Sequence, residues 1–167
     1  MDPPLPPREP ENTLATEAMF ESLEVDSYKS IPGLPGALMR DLPFLGELTG
    51  GRIGGFYFSG TDGQSFGSSH WHKHDVAFQI SFVTQGWALF EFEGVGVKRV
   101  EAGSVFVQGS QNRHRVLALS VDFEAIEISS PSTFTTTEFV YDSEAGTYEE
   151  VVFQPDGVAE RGEQERA

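Results

Sequence analysis

The chain of 167 residues contains no cysteine. Disulfide scaffolds, thiolate-bound zinc and iron–sulfur clusters all need cysteine, so the sequence excludes each of them. A metal site in this protein must use imidazole, carboxylate, amide or carbonyl groups. Histidine, the strongest of these ligands for a transition metal, occurs only four times.

Basic side chains are also scarce, with 11 lysines and arginines against 26 aspartates and glutamates and a formal net charge of -15. Proteins that bind nucleic acid or anionic membranes present basic patches, so the composition argues against both partners. The sequence lacks an apolar run of about 20 residues, which a membrane-spanning helix needs, and it lacks the basic, apolar start of a signal peptide. We expect a cytoplasmic protein.

The acidity is concentrated towards the two ends. Residues 1–49 carry 3 basic and 9 acidic groups, residues 50–129 carry 6 and 8, and residues 130–167 carry 2 and 9. Five prolines in the first ten residues predict a disordered, extended arm over residues 1–12. The polar residues 154–167 predict a disordered acidic tail. Residues 13–153 then form a single domain, which begins with a short predicted helix between Asn12 and Leu23.

The middle of the chain is typical of a β protein. Six short runs rich in valine, isoleucine, phenylalanine or tryptophan are separated by glycines, and this pattern predicts an all-β sandwich or barrel. The predicted strands cover residues 52–59, 77–84, 87–93, 104–108, 113–120 and 122–129. A strand-like run at residues 147–153 either extends a sheet or covers a sheet edge, and its Glu149 and Glu150 argue against deep burial.

Three of the four histidines lie two residues apart, at His70, His72 and His74. Alternate residues of a strand share a face, so this spacing directs three imidazoles to one side. The fourth, His114, lies near the start of the predicted strand at residues 113–120 and can approach from a neighbouring strand. Histidines on surface strands are often structural, but this clustering favours a metal site.

The sequence around these histidines resembles the first motif of the cupin superfamily, small β-barrel proteins that hold a metal inside the barrel. In that motif two histidines, separated by one residue, precede a glutamate and a glycine. Here His72 and His74 are followed after four residues by Gln79 and after six more by Gly86. Two positions depart from the pattern, because Gln79 replaces the glutamate and Gly67 lies one residue closer to the first histidine.

The second cupin motif is matched more loosely. Gly103 opens it and His114 closes it, but Gly109 replaces the usual proline and Gln111 the following glycine. We therefore expect the loop before His114 to bend differently from the loop of the family. The resemblance covers residues 51–130, and it implies an all-β, double-stranded β-helix (a jelly-roll barrel), here with a short N-terminal helix and extended termini.

By this resemblance the metal ligands are His72, His74, Gln79 and His114. A glutamine offers a neutral carbonyl oxygen and an amide donor, whereas a glutamate would add negative charge. The alternative is that Gln79 points inward without touching the metal. Because His74 and Gln79 have opposite strand parity, we predict a turn or bulge between them, at Asp75 or Val76.

His70 remains outside this ligand set. It is an additional ligand, a donor behind the ligands, or a substrate contact at the mouth of the barrel; some polyketide cyclases with a single cupin domain use four histidines. On an ideal strand His70 lies about 13 Å from His74, so ligation by both needs strong curvature, and a peripheral role is favoured. Without the glutamate, a catalytic base must be His70, a hydroxide, or a water oriented by Gln79, which makes His70 and Gln79 the candidate catalytic residues.

The neutral ligands and the aromatic residues around the motifs predict a metal-dependent protein for a small aromatic or β-dicarbonyl compound. The ligands suit one divalent transition metal, with Fe(II) preferred and Zn(II), Ni(II), Mn(II) and Cu(II) as alternatives. The likeness to cupins that cleave quercetin or acetylacetone implies a non-haem dioxygenase. The alternatives are a Lewis-acid cyclase, as in monocupin polyketide cyclases, and a cupin that binds a small ligand without catalysis.

Two further expectations concern the surroundings of the site. Arg113 and Arg115 flank the last ligand, and they either steer an anionic group or face solvent. The cupin resemblance also implies a homodimer that pairs through edge strands.

Overall fold

The computed structural model describes residues 28–31, 34, 36–60, 69–154 and 159–161. Within these residues the protein has thirteen strands and one short helix, so the predicted all-β class is confirmed. The elements are, in chain order, β1 (Lys29–Ser30), β2 (Ala37–Asp41), α1 (Pro43–Thr49), β3 (Gly54–Gly60), β4 (Trp71–His74), β5 (Phe78–Gln85), β6 (Trp87–Phe92), β7 (Gly96–Glu101), β8 (Val105–Gly109), β9 (His114–Leu119), β10 (Glu124–Ser130), β11 (Thr136–Asp142), β12 (Thr147–Phe153) and β13 (Ala159–Arg161).

The strands form two antiparallel sheets that enclose the interior. The first sheet has the order β1-β2-β3-β10-β5-β8, and the second has the order β13-β12-β11-β4-β9-β6-β7. Strands distant in sequence lie side by side, with β10 between β3 and β5 and with β4 between β11 and β9. This arrangement of two sheets is that of a jelly roll, so this part of the prediction is also confirmed.

All six strands predicted from the central apolar runs are present, with ends shifted by no more than two residues. Their alternation decides which side chains face inward. In β6, Ala88 and Phe90 are buried, whereas Trp87 lies on the outer face with the Arg99 guanidinium 4.4 Å from its ring centroid. In β10, the odd-numbered residues from 125 to 129 are the buried ones.

The hydrophobic core lies between the two sheets. Its buried residues are Leu34, Ala37, Val83, Ala88, Phe90, Val100, Val116, Leu119, Phe123 and Ala125. Phe106 of the first sheet contacts Phe90 and Phe92 of the second, with ring centroids 5.3 and 6.0 Å apart. Each such aromatic pair stabilises the fold by about 0.5–1.5 kcal/mol beyond the burial of its area.

The turn from β5 to β6 explains the glycine that ends the first motif. Gly86 has a φ of 65°, in the left-handed region that favours glycine. A Cβ at this position would also lie 2.8 Å from the Cα of Phe123. Any other residue would therefore strain this turn and displace the chain that leads into β10.

The helix of the described chain was not predicted from the sequence. It is α1, which starts with Pro43 and ends at Gly50, whose N–H donates to the Glu47 carbonyl oxygen. The helix predicted between Asn12 and Leu23 and the arm over residues 1–12 lie outside the described residues. No helix of the described residues is long and apolar enough to span a membrane.

Part of the predicted tail over residues 154–167 lies within the described residues. Three of its residues, Ala159–Arg161, form β13 and pair with Val151–Phe153 of β12. Main-chain hydrogen bonds to the neighbouring strand order these three residues, although their composition is polar. The other residues after Gln154 lie outside the described part of the chain.

Candidate metal centre

Three histidines of the second sheet converge on one point of the interior. His72 lies directly opposite His114 across the β4–β9 pair, and His74 follows on the same face of β4. One ring nitrogen from each histidine lies within 4.8 Å of the other two. The ring centroids are 4.3 Å apart for His72 and His114, and the other two pairs are 5.1 and 5.3 Å apart. We call this group, His72, His74 and His114, the histidine wall.

Main-chain carbonyl groups orient two of the three rings. The Nδ1–H of His72 donates to the His70 carbonyl oxygen at 2.9 Å, and that of His114 donates to the Asn112 carbonyl oxygen at 3.2 Å. A carbonyl oxygen only accepts, so the proton must lie on Nδ1 and the lone pair on Nε2. Each ring therefore presents the nitrogen that a metal needs, and the hydrogen bond behind it is the usual support of a metal-binding histidine.

The third ring has a side-chain partner, because His74 Nδ1 lies 2.9 Å from the Thr136 hydroxyl oxygen. Burial lowers the pKa of His72 and, together with the charge of neighbouring imidazoles, holds the pKa of His74 well below its usual range. For His114, burial and then the neighbouring His72 lower the pKa to about 3. All three imidazoles are thus neutral at neutral pH, which is the protonation state that binds a metal.

His70 lies outside the histidine wall. Its side chain is 49% exposed, and its Nδ1 lies 3.0 Å from Oε2 of Glu138. Its main-chain carbonyl oxygen contacts the histidine wall, by accepting the hydrogen bond from His72 Nδ1. The structure therefore does not bring the His70 imidazole together with the other three.

Gln79 reaches the same cavity from the first sheet. It is buried on β5 of the first sheet, and it lines the cavity that the three histidines also line. The predicted turn between His74 and Gln79 corresponds to the crossing from one sheet to the other. There the N–H of Asp75 donates to the Thr135 carbonyl oxygen at 3.0 Å, and Val76 is buried.

Glu127, a buried carboxylate on β10, is a further polar group of the cavity that was not predicted from the sequence. It accepts hydrogen bonds from Ser81 Oγ at 2.7 Å and from Gln79 Nε2. Burial raises its pKa to about 6, and the two hydrogen bonds oppose that rise. Strand alternation is the one signal for it in the sequence. Glu127 lies two residues after Ala125 and two before Ser129, so it shares a strand face with two small residues.

Two carboxamide oxygens in this region are buried without a hydrogen-bond partner among the described residues: Oε1 of Gln79 and Oε1 of Gln108. The two residues lie opposite each other on β5 and β8, and both line the cavity. Together with Ser81 and Glu127 they form what we call the carboxamide wall. Because Gln79 Nε2 donates to Glu127, Gln79 Oε1 remains available as a neutral oxygen ligand, so these residues fit a transition metal.

The cavity between the two walls has a volume of about 590 Å³. Seven phenylalanines contribute to its lining, namely Phe56, Phe58, Phe90, Phe106, Phe123, Phe134 and Phe153. None of the described residues that line it is a lysine or an arginine. The cavity thus combines an apolar lining with a few convergent polar groups, which is the usual composition of a small-molecule site.

The two arginines beside His114 lie on the outer face of the second sheet. The Arg115 guanidinium is 4.8 Å from the ring centroid of Trp71, and that of Arg113 is 4.3 Å from the ring centroid of Phe139. Neither lines the cavity. Of the two expectations for these residues, the structure supports the outward-facing one.

The loop before His114 contains a left-handed residue at a position where its sequence departs from the motif. Gln111 stands at the motif's glycine position and has a φ of 67°, in the left-handed region. Its Oε1 accepts a hydrogen bond from Lys73 Nζ at 2.7 Å. The expectation that this loop bends differently from the loop of the family stays a prediction, and the structure adds that a non-glycine residue adopts the left-handed conformation here.

No family model and no curated protein matches the sequence. Solved structures match, among them a sugar phosphate isomerase from a cupin superfamily of Silicibacter pomeroyi, with a TM-score of 0.56 and 17% identity over 84% of this chain and 92% of that one. The polyketide cyclase RemF from Streptomyces resistomycificus has a TM-score of 0.52 and 16% identity over 70% and 82%. The plu4264 protein from Photorhabdus luminescens has a TM-score of 0.53 and 17% identity over 68% and 88%. The chain therefore has the cupin fold, which confirms the resemblance drawn from the two motifs at the level of the fold.

Proposed function

We propose that this protein is a metal-dependent enzyme for a small aromatic or β-dicarbonyl compound. His72, His74 and His114 would hold one divalent transition metal, and Gln79 would add a neutral oxygen ligand. The observation that carries the proposal is the convergence of three neutral imidazole nitrogens within 4.8 Å at the wall of an apolar cavity. When bound, the metal would supply Lewis-acid polarisation of a chelating oxygen and, if it is iron, redox chemistry with O2.

The lining of the cavity supports this substrate class. Phenylalanine rings such as those of Phe56 and Phe106 would bury a flat apolar molecule and exclude water from it. A phosphate group would meet no lysine or arginine among the described lining residues, and it would approach the buried carboxylate of Glu127. The lining therefore disfavours a sugar phosphate, although an isomerase for such a substrate shares the fold.

A non-haem dioxygenase is the first candidate activity. The proposed ligands, three imidazoles and one carboxamide, are all neutral and leave the charge of the cation intact. An anionic chelating substrate such as an enolate is therefore attracted to the site. Fe(II) is the preferred metal for this activity, and Zn(II), Ni(II), Mn(II) and Cu(II) suit the same ligands.

A Lewis-acid cyclase is the second candidate, and one specific observation favours it. The cavity contains a carboxylate, Glu127, that is hydrogen-bonded to Ser81 and Gln79. Ring closure of a poly-β-ketone requires proton transfer, which a buried carboxyl group can assist, whereas oxygen chemistry places less demand on such a group. A protein described as a polyketide cyclase also shares the fold.

We assign His70 a peripheral role. Its Nδ1 contacts Glu138, which lines the cavity, while half of the His70 side chain is in solvent. His70 and Glu138 thus link the cavity to the surface, and the pair would exchange protons between substrate and water. Gln79, the other candidate catalytic residue, would act by binding the metal.

The activity test is turnover of a panel of flavonols, β-diketones and poly-β-ketones by Fe(II)- and Zn(II)-loaded protein, with and without O2. Substrate-dependent O2 consumption by the iron form supports dioxygenation. Anaerobic turnover by the zinc form supports cyclisation. Binding of these compounds without turnover by either form would overturn both activities and leave a non-catalytic binding protein. His114→Ala is the control that removes the metal site.

We also propose that the protein is a homodimer that pairs through β8. This strand ends the first sheet, and Val105 and Val107 on its outer face are 58% and 65% exposed beside Phe82, which is 40% exposed. A second copy that pairs with this edge strand would cover these exposed apolar side chains. Light scattering should give the mass of a dimer for the parent and of a monomer for Val107→Lys; a monomeric parent would refute the proposal.

A further inference from the structure

Glu127 is a buried anion with no cationic partner among the described residues. None of the ion pairs within the described residues includes it, and its two hydrogen-bond donors, Ser81 and Gln79, are neutral. A carboxylate in this position has lost its hydration without gaining an opposite charge. A positive charge near the carboxamide wall would compensate this loss.

The same carboxylate fixes the orientation of Gln79. A carboxylate oxygen accepts hydrogen bonds and an ionised carboxylate has no proton to donate, so the amide nitrogen of Gln79 must face Glu127. Gln79 Oε1 consequently faces away from Glu127. It is buried and has no hydrogen-bond partner in the described chain.

Both features are explained by one cation at the cavity side of Gln79. A metal held by the histidine wall would use Oε1 as a ligand, and its charge would balance Glu127 through the intervening amide. The unpartnered oxygen and the unpaired anion lie at the two ends of the same carboxamide group. A neutral hydrogen-bond donor, such as a water or a substrate hydroxyl, would satisfy the oxygen but would leave the anion unbalanced.

We propose that Glu127 is a positioning residue for the metal. By accepting from Gln79 Nε2, it holds Gln79 with Oε1 directed to the metal and places a negative charge directly behind that ligand. Ser81 supports the arrangement by donating to the other carboxylate oxygen. This inference rests on the proposed function, because it requires the metal centre of His72, His74 and His114.

The test uses full-length protein that has been stripped with a chelator and then titrated with Zn(II) in a calorimeter. Glu127→Gln conserves the shape but removes the charge and the preference for one amide orientation. We expect it to weaken Zn(II) binding by about 10- to 100-fold, the usual effect of a residue behind a ligand. Glu124→Gln is the matched control, since it removes the same charge from the same strand on the opposite face, and it should change the affinity by less than about 2-fold.

A double variant separates positioning from a general effect on the fold. Gln79→Glu combined with Glu127→Gln exchanges the two groups, so that a carboxylate at 79 accepts from the amide at 127 and presents its other oxygen to the metal. We expect Zn(II) affinity equal to or tighter than that of the parent. This variant also decides the question if Glu127→Gln alone does not fold.

The Co(II) absorption spectrum gives a readout that a structural role would not change. Loss of the Gln79 ligand in Glu127→Gln should alter the visible bands, and the Glu124→Gln spectrum should match the parent. If Glu127→Gln binds Zn(II) within about 3-fold of the parent with the same Co(II) spectrum, or if the double variant is as weak as the single one, the positioning role is wrong. If the parent itself binds neither metal, the proposed function fails with it.

Discussion

The two walls of the cavity hold their polar groups by different means. On the histidine wall, His72 and His114 are oriented by main-chain carbonyl oxygens. On the carboxamide wall, Gln79 and Glu127 orient each other through a side-chain hydrogen bond. These two residues are 48 positions apart in sequence. The comparison shows that nearby main-chain groups orient two of the three imidazoles, whereas the orientation of Gln79 depends on a side-chain contact between strands distant in sequence.

Removal of a ligand from the histidine wall should have the largest effect. We expect His114→Ala to weaken Zn(II) binding by more than about 100-fold, because loss of a ligand exceeds the 10- to 100-fold effect of a supporting residue. Calorimetric titration of chelator-treated protein measures it. His70→Ala is the control, since it retains the carbonyl group that orients His72. Equal affinities for His114→Ala and His70→Ala would contradict the assignment of the ligands.

The two walls should also respond oppositely to pH in the metal-free protein. The pKa values of the three histidines are lowered by folding, so the stability they contribute is complete above their unfolded pKa near 6.5 and is lost as the pH falls. The pKa of Glu127 is raised to about 6, so the free-energy cost of burying its ionised form increases as the pH rises. On acidification the three histidines together lose more stability than Glu127 regains. The free energy of unfolding should therefore fall by about 2 kcal/mol from pH 6.5 to 5.5.

Urea denaturation in the presence of a chelator, at pH 6.5 and at pH 5.5, measures this difference. His114→Ala should show a smaller pH dependence than the parent, because one of the three buried imidazoles is gone. A stability that stays constant or rises on acidification would contradict the buried, neutral state of the histidine wall.

The same contrast explains what could be predicted from the sequence. The histidine spacing on β4 and the apolar runs of the central strands are local patterns, and they predicted the three converging histidines and six strands. β7 and β11 were missed because each buries a single apolar residue, Val100 and Phe139 respectively. The partnership of Gln79 with Glu127 was missed because its register depends on β10 lying beside β5.

A smaller effect should follow from loss of the side-chain support on the histidine wall. Thr136→Val keeps the shape but removes the hydroxyl that contacts His74 Nδ1. We expect Zn(II) affinity to fall by about 10-fold, since the ring loses its fixed orientation. Thr137→Val, one residue along β11 and on its other face, is the matched control. Similar affinities for the two variants would show that Thr136 does not support the ligand.

The smallest effect on metal binding is expected on the carboxamide wall, at Gln108. Gln108→Leu removes a buried oxygen that has no hydrogen-bond partner among the described residues, so the free energy of unfolding should rise by about 1 kcal/mol while the metal affinity is unchanged. Gln79→Leu is the comparison, because it removes a donor from Glu127 and should lower the stability. Chemical denaturation measures both; a stability loss in Gln108→Leu would indicate a partner for that oxygen.

The most direct test of the central claim is elemental analysis of protein purified without added metal. The three converging imidazoles predict about one transition-metal ion per chain in the parent and a loss of that ion in His114→Ala. A parent protein that contains no transition metal, and that retains none after incubation with Fe(II) or Zn(II) and desalting, would contradict the account.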